Sequence, residues 1–336
     1  MSRAVRFHET GGPDVLHLEE IPDPEPVPGE VLIRTRALGL NRAESMFRLG
    51  EYGIDPVFPS GLGYEAAGVI EAVGTGVTDF RVGDAVSVVP SFTMTDYPVH
   101  GEAVLVPSHA VVAHPEHLSF EEAASVWMKF VTAYGGLVDL AGVRPGDTVL
   151  IPAASSSVGL AAIQVAHKAG ARAIALTRTS GKRQQLLDAG ADAVIATAEE
   201  DVVAQVRELT AGAGARVIFD PVGGPALADL VAAAAHEAVI VVYGLLDRTP
   251  ASLDVGAVLF KHLTLRGFEL FEITTDDQRR AAAVEFVRDG LTKGELTPVI
   301  DRTFPLEDIA DAHRYLEAGG QVGKIVVTVT PEESAS

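Results

Sequence analysis

The 336-residue chain contains no cysteine. That removes disulfides, thiol nucleophiles and every thiolate-ligated metal site, and it leaves the cellular compartment open. Positive charge is scarce too: Lys plus Arg number 26 against 46 Asp plus Glu, a formal net charge of 26 − 46 = −20. So acidic a surface repels phosphate backbones and anionic lipid, which argues against general binding to nucleic acid or membrane. Long apolar runs are missing as well. The longest, residues 231–246, is interrupted by His236 and Glu237 and is too short for a spanning helix. The opening MSRAVRF has no stretch suited to a signal peptide, and a cytoplasmic location is expected. What the chain does have is 47% hydrophobic and 21% charged residues, the balance of a globular protein with a sizeable core. Its length suits roughly two domains.

The first third reads as short strands separated by turns. Residues 31–36 and 67–73 alternate apolar and polar side chains, and Pro and Gly punctuate densely, in IPDPEPVPGE (residues 21–30) and again at Gly74, Gly76 and Gly83-Asp84. This spacing predicts a compact β domain, with the Pro-rich run as a stiff connection between two early strands. At Ser119-Phe120-Glu121-Glu122 the pattern changes to a capping box, followed by helical stretches through Ala123 and Val126 and over residues 132–140. From Asp147 strands and helices alternate: DTVLIPA, a helix over 158–168, ARAIALT, a helix over 182–188, AVIAT, a helix over 202–209, ARVIFD, a helix after Pro225, and AVIVVYG. Strands joined by such crossovers build a doubly wound parallel sheet, an α/β fold. Near Phe260 the regularity weakens, and the last strand, 324–329, returns to the style of the first domain. The expected division is therefore 1–124 with 267–336 as one domain and 125–266 as the other. The closing PEESAS reads as a frayed tail.

DTVLIPAASSSVGLAAIQVA is a strand, a turn of small residues and a helix, the arrangement that brings backbone N–H groups close to a pyrophosphate. The usual three glycines fall on Ala154, Ser156 and Gly159, so two of them are missing; alone the turn is a weak signal, with an ordinary α/β connection as the lesser alternative. The next strand adds weight. It ends in ALTRTSGKR, with Arg178 about twenty residues beyond the turn, where an acidic residue would hold the ribose 2′-hydroxyl of NAD. Arg178 and Lys182 instead offer charge and donors to a 2′-phosphate, and no Asp or Glu stands between Ala171 and Gln185. The residues point to NADPH.

These pieces, taken with GEVLIRTRALGLNRAE, GYEAAGVIEAVGTGVTDFRVGDAV, LSFEEAA, VTAYGGL, VRPGDTVLIPAASSSVG and GGQVGKIVV, resemble the medium-chain dehydrogenase/reductase superfamily over nearly the whole chain. The resemblance implies a Rossmann domain inserted into a GroES-like β domain, with an active site in the cleft between them. Zinc alcohol dehydrogenases of that superfamily hold a catalytic metal through Cys, His and Cys; here the matching residues are Asn41, Tyr64 and Met128, and the four cysteines of a structural zinc are absent. No metal is expected. The chain is similar instead to the zinc-independent branch of quinone oxidoreductases, ζ-crystallin-like proteins and 2-enoyl reductases, in which NADPH reduces a quinone or an activated double bond conjugated to a carbonyl.

By that resemblance Thr132 lies near the nicotinamide ribose, and Ser155, Ser156, Ser157, Val158 and Gly159 meet the pyrophosphate. Thr177, Arg178 and Lys182 hold the adenosine end, and Tyr243 and Gly244 flank the cofactor, with Phe268 and Lys324 closing around it. Asn41 and Tyr52 face the substrate, beside Tyr64 and Met128. Asn41 could hydrogen-bond a carbonyl oxygen as charge accumulates there, or simply stabilise a turn. Tyr52 reads equally as the proton donor that follows hydride attack and as a packing residue. His100, His109, His114 and His117 have spacings that fit no familiar metal site, and AVLVPSHAVVAHP reads as strands with exposed alternation. The resemblance further implies a homodimer paired through edge strands within residues 253–266. Two other functions stay open: an enoyl-thioester reductase, and a non-catalytic, crystallin-like NADPH-binding protein.

Overall fold

The computed structural model describes residues 1–330; PEESAS lies outside the described residues. The chain divides into two compact units, one built from Met1–Met128 and the residues from Pro298 onward, the other from Lys129–Thr297. No helix among the described residues is long and apolar enough to cross a membrane.

The first unit opens with an antiparallel pair, β1 (Ser2–Arg6) and β2 (His17–Ile21), and the Pro-rich run leads from it into β3 (Glu30–Gly39). Four more strands follow before the chain leaves the unit: β4 (Glu65–Val73), β5 (Ala85–Val88), β6 (Ala103–Pro107) and β7 (Val111–Ala113). The capping box forms as expected: Glu122 N donates to Ser119 Oγ at 3.2 Å, and Ser119 N donates back to Glu122 Oε2 at 2.8 Å. The short helix it starts, Phe120–Ala123, packs on small residues of the sheet, Ala37 and Ala67.

The second unit contains β8 (Thr148–Ile151), β9 (Arg172–Thr177), β10 (Ala193–Ala196), β11 (Ala215–Asp220), β12 (Ala234–Val242) and β13 (Thr264–Gly267). All pair in parallel, in the order β10-β9-β8-β11-β12-β13. Counted from β8, that is the 3-2-1-4-5-6 order of a dinucleotide-binding sheet, whose direction of growth reverses between β8 and β11. Leu150, Ile174, Ile195, Ile218 and Ile240 supply its buried apolar core. The chain then returns to the first unit through β14 (Ile300–Pro305) and β15 (Lys324–Thr328), completing a seven-stranded path β14-β15-β3-β4-β5-β7 with β6 paired to β3.

Three expectations change. The return falls at Thr297/Pro298, about thirty residues later than the regularity of the pattern suggests. The helix Asp277–Lys293 is tied to the parallel-sheet unit: Lys168 Nζ pairs with Asp289 at 2.8 Å, and Gln164 exchanges two hydrogen bonds with Thr297. The outgoing crossing likewise lies at Met128/Lys129 rather than 124/125. The helix expected over 132–140 begins at Trp127 and passes into a wider π-helical turn at Gly135–Leu140, where Gly135 and Gly136 leave room for the rings of Phe268 and Phe219. Finally, the strands around AVLVPSHAVVAHP are not exposed on one face. Val104, Val106, Ala110, Val111 and Val112 are all buried, since β6 and β7 pack within the unit.

Gly39, the last residue of β3, shows how tightly this unit is closed. A Cβ there would stand 2.0 Å from the Ala124 carbonyl oxygen and 3.0 Å from Lys324 Cε. Because the obstacle is backbone, Gly39→Ala is expected to cost about 1–3 kcal/mol, read as a lower urea midpoint with an unchanged slope.

Candidate active site

The candidate residues fall into two groups, one in each unit. In the first, β3 ends at Gly39 and a helix begins at Arg42, with Asn41 as its N-cap. Glu44 at the third helical position folds back in a capping box: its carboxylate accepts from Asn41 N at 2.6 Å, from Asn41 Nδ2 at 3.1 Å and from Tyr64 N at 3.3 Å. β4 begins at Glu65, whose carboxylate accepts from Asn41 Nδ2 at 3.2 Å and from Met128 N at 2.8 Å. The first residue of β15, Lys324, completes the group: its ammonium donates to Asn41 Oδ1 at 2.5 Å and pairs with Glu65. Asn41, Glu44, Glu65 and Lys324 are all buried.

Burial decides the protonation here. It pushes the Glu44 carboxyl up to about 7, and it pushes the His100 imidazole, with the Lys324 charge adding to the effect, down to about 3. His100 Nε2 lies 3.8 Å from Glu44 Oε1, but a neutral imidazole makes this a packing contact and not an ion pair at neutral pH. Tyr64 is fully buried, and desolvation, with Tyr52 beside it, raises its phenol so that it stays protonated. The Tyr52 and Tyr64 rings are 6.3 Å apart, and Phe92 packs on Tyr64 from 6.2 Å.

Asn41, Tyr52, Tyr64 and Met128 are thus gathered in one neighbourhood, as the sequence suggested. Two features differ. The Asn41 amide is engaged on every side: its nitrogen faces Gly39 O, Glu44 and Glu65, and its oxygen faces Lys324. Lys324, grouped by the resemblance with the cofactor residues, has its ammonium committed inside this cluster. Glu44 and Glu65 were missed, although a Glu three residues after an N-cap Asn is itself a readable capping signal.

In the second unit the predicted residues fall beyond the carboxyl ends of the parallel strands, where open α/β sheets bind ligands. After β8 the chain turns through Ala153, which holds a left-handed φ of 49°, into the helix Ser157–Lys168. Ser156 is its N-cap and accepts from Gly159 N at 3.0 Å. Gly159 is required as glycine, since a Cβ would come within 2.6 Å of the Ala154 backbone; this is the glycine that allows close helix–strand packing. Ser155 Oγ accepts from Lys182 Nζ at 3.3 Å, so turn and basic loop meet. Thr177 ends β9, and Arg178 after it is exposed. Tyr243 follows β12, stacks on Phe219 at 3.9 Å and keeps a buried hydroxyl without a hydrogen-bond partner among the described residues. Gly244 comes next, and Phe268 follows β13, bonded through its N–H to Val242 O at 2.9 Å. Thr132 is buried within the helix Trp127–Tyr134.

One neighbour was invisible in the sequence window. Glu199 Oε1 accepts from Ser180 N at 3.0 Å, which brings a carboxylate into the loop carrying Arg178 and Lys182. Glu200 pairs with Arg183, the next basic residue after Lys182. In all, the turn has the helix–strand packing glycine and the capped helix start of a pyrophosphate-binding turn, and an unpartnered buried hydroxyl lies two strands away.

A GroES-like β unit and a six-stranded Rossmann-type sheet define a dehydrogenase/reductase of two domains. Comparison with known proteins agrees: the alcohol dehydrogenase GroES-like domain matches residues 27–153, and the zinc-binding dehydrogenase domain matches residues 157–288. The human quinone oxidoreductase is 32% identical over 330 residues, spanning 97% of this chain and 98% of its own. Quinone oxidoreductase 1 of Escherichia coli is 31% identical, over 96% of this chain and 98% of its own. Among solved structures, the Escherichia coli quinone oxidoreductase complexed with NADPH superposes with a TM-score of 0.88 at 29% identity, over 98% of this chain and all of that one. The CurK enoyl reductase superposes with a TM-score of 0.87 at 27% identity, over 98% and 99%. The chain belongs to the medium-chain dehydrogenase/reductase superfamily, in its quinone oxidoreductase-like branch.

The depressed His100 imidazole has a measurable consequence. An unfolded chain binds a proton at this residue below about 6.5, whereas the folded one does so only near 3, so its contribution to stability is complete above 6.5 and is lost as pH falls toward 3. His100→Gln is expected to flatten stability against pH across that window by about one proton, about 1.4 kcal/mol per pH unit. Urea titrations of both proteins at a series of pH values test this; parallel curves would contradict it.

Proposed function

We propose that the protein is a metal-independent, NADPH-dependent reductase of quinones or α,β-unsaturated carbonyl compounds, working in the cytoplasm. The observation that carries this reading is the turn between β8 and its helix, closed on Gly159 at the reversal point of the sheet and joined through Lys182 to the basic loop after β9. When bound, NADPH supplies the hydride. The chain's residues bind and orient it: Ser155, Ser156, Ser157, Val158 and Gly159 offer the helix start to the pyrophosphate. Arg178 and Lys182 take the 2′-phosphate, Thr177, Thr132, Gly244 and Phe268 line the path, and Tyr243 brings its unpartnered hydroxyl.

On the acceptor side Tyr52 delivers the proton, with Tyr64 held neutral beside it as a hydrogen-bonding neighbour. Asn41 acts with Lys324 and Glu65 as a fixed polar floor; with its amide already engaged, it positions the site more than it donates to substrate. The same geometry supports independence from zinc. The ligand positions of the zinc enzymes carry an amide, a phenol and a thioether, and the amide oxygen already accepts from an ammonium, so a second cation there would meet like charge.

A thioester acceptor is the second reading, supported by the likeness to an enoyl reductase; the acidic surface disfavours the phosphates of coenzyme A. NADPH oxidation followed over quinones, alkenals, enones and enoyl thioesters separates these. Binding of NADPH without turnover of any acceptor would favour the crystallin-like alternative and sink the reductase reading.

The protein also works as a homodimer. The segment 253–266 is half helix, Val255–Phe260, and half edge strand, β13, and not strand throughout. Val255, Leu259 and Phe260 are 69%, 64% and 78% exposed beside that edge, a combination that invites a covering partner. Phe260→Lys with Leu265→Lys should give monomers of intact fold by light scattering; an unmodified protein that is monomeric at micromolar concentration would contradict the dimer.

Arg178→Ala is expected to weaken NADPH far more than NADH. A charge-assisted hydrogen bond is worth about 1.5–3 kcal/mol, so the preference should fall about 10- to 150-fold. Equal losses for both cofactors would mean that Arg178 does not read the 2′-phosphate.

A further inference from the structure

We propose that His236, Glu237 and His262 form a binding site for zinc or a similar divalent transition metal, at the amino-terminal ends of β12 and β13. Parallel pairing sets Val239 opposite Thr264, and just before it the backbone bond from Glu237 to Lys261 brings the turn that carries His262 beside β12. The ligand atoms of the three side chains all lie within 4.8 Å of one another, and the two imidazole rings are 4.7 Å apart between centroids. All three residues are exposed in the single chain, so an ion reaches them and its remaining coordination positions are left to water. Among the described residues His100, His109, His114 and His117 make no such convergence.

The backbone under the site is held firmly. Glu237 N donates to Lys261 O at 2.6 Å, tying the start of β12 to the turn before β13. Lys261 sends its ammonium the other way, to the carbonyls of Val231, Ala232 and Ala234 at 3.2, 2.8 and 2.9 Å. The donors therefore need only side-chain rotation to close on an ion. Two of the three also sit at a conformational cost: Glu237 and His262 hold φ of 57° and 54°, left-handed values that favour glycine or asparagine. Glu237 thus keeps a metal donor at a position where the backbone alone would not select glutamate.

The donor set names the ion class. Two imidazoles and a carboxylate suit zinc, nickel, cobalt or copper, whereas magnesium and calcium take oxygen ligands. The site lies at the opposite ends of the strands from the Ser155–Gly159 turn, so an ion there clips the edge strand β13 to β12 and takes no part in reduction. The expectation of a metal-free chain is accordingly narrowed to the reaction site.

The test uses the full-length protein stripped of metal. Zinc titrated by calorimetry should bind one ion per chain at micromolar concentration and raise the thermal midpoint by mass action. Cobalt should give a visible d–d absorption band. His236→Ala and His262→Asn should each weaken zinc more than about tenfold and abolish the band. His262→Asn also accommodates the left-handed backbone, so an unchanged metal-free midpoint separates lost ligation from lost folding. NADPH oxidation should be the same with and without chelator. Zinc uptake unaltered in both variants, or uptake only at millimolar concentration as an adventitious ion only, would overturn the site.

Discussion

The first unit is organised around the need to neutralise one buried carboxylate. Glu65 stands at the head of β4 with essentially no access to water, and its partner, Lys324, arrives from the far end of the sequence. Leaving one member of such a pair alone costs about 3–5 kcal/mol, a large share of the stability of any domain. β15 is therefore not an optional addition to the sheet. It pairs with β3, which pairs with β4, and this adjacency carries the ammonium to the carboxylate. A unit interrupted by 169 residues of another fold is closed by a contact that only its two ends together can make.

Around that pair the same low dielectric shifts the other titratable groups toward their neutral forms. Glu44 is pushed toward neutrality, and His100 and the neighbouring His313 are held well below the ordinary imidazole range, each mainly by desolvation. Asn41 is the hinge of this arrangement, because its amide is read on one side by carboxylates and on the other by an ammonium. An amide so locked cannot flip, which serves a positioning role better than a donating one.

The alternation of strands and helices from Asp147 onward was legible because each crossover is short and each strand is a compact apolar run. The helix Val202–Leu209 and the strand Ala215–Asp220 match their expected bounds for that reason. The glycine-poor turn was legible through Gly159, whose packing against Ala154 survives the loss of the other two glycines. The later boundary was hidden because Asp277–Lys293 is an ordinary amphipathic helix, and only its long-range bonds from Lys168 and Gln164 assign it to the parallel-sheet unit. Glu65, Lys324 and Glu199 escaped a local reading for a related reason. A carboxylate whose partner lies 259 residues away, or which enters a loop from the next crossover, leaves no periodic trace in the sequence around it.

The parallel sheet of the second unit divides its labour between its two ends. At the carboxyl ends, residues that follow β8, β9, β12 and β13 offer N–H groups, hydroxyls and basic side chains, with small residues where backbone must come close. At the amino ends the chain need only enter each strand; β10 is entered past a single pair, His167 with Asp192 at 3.0 Å. The entries of β12 and β13 carry more, two histidines and a glutamate, two of the three on left-handed backbone and tied by Lys261. Within one chain β13 is an edge strand of four residues, paired only with β12. A strand so short gains little from its own ladder. A crosslink at its start would therefore act where the sheet is weakest, and far enough from the nucleotide end to leave recognition there unaltered.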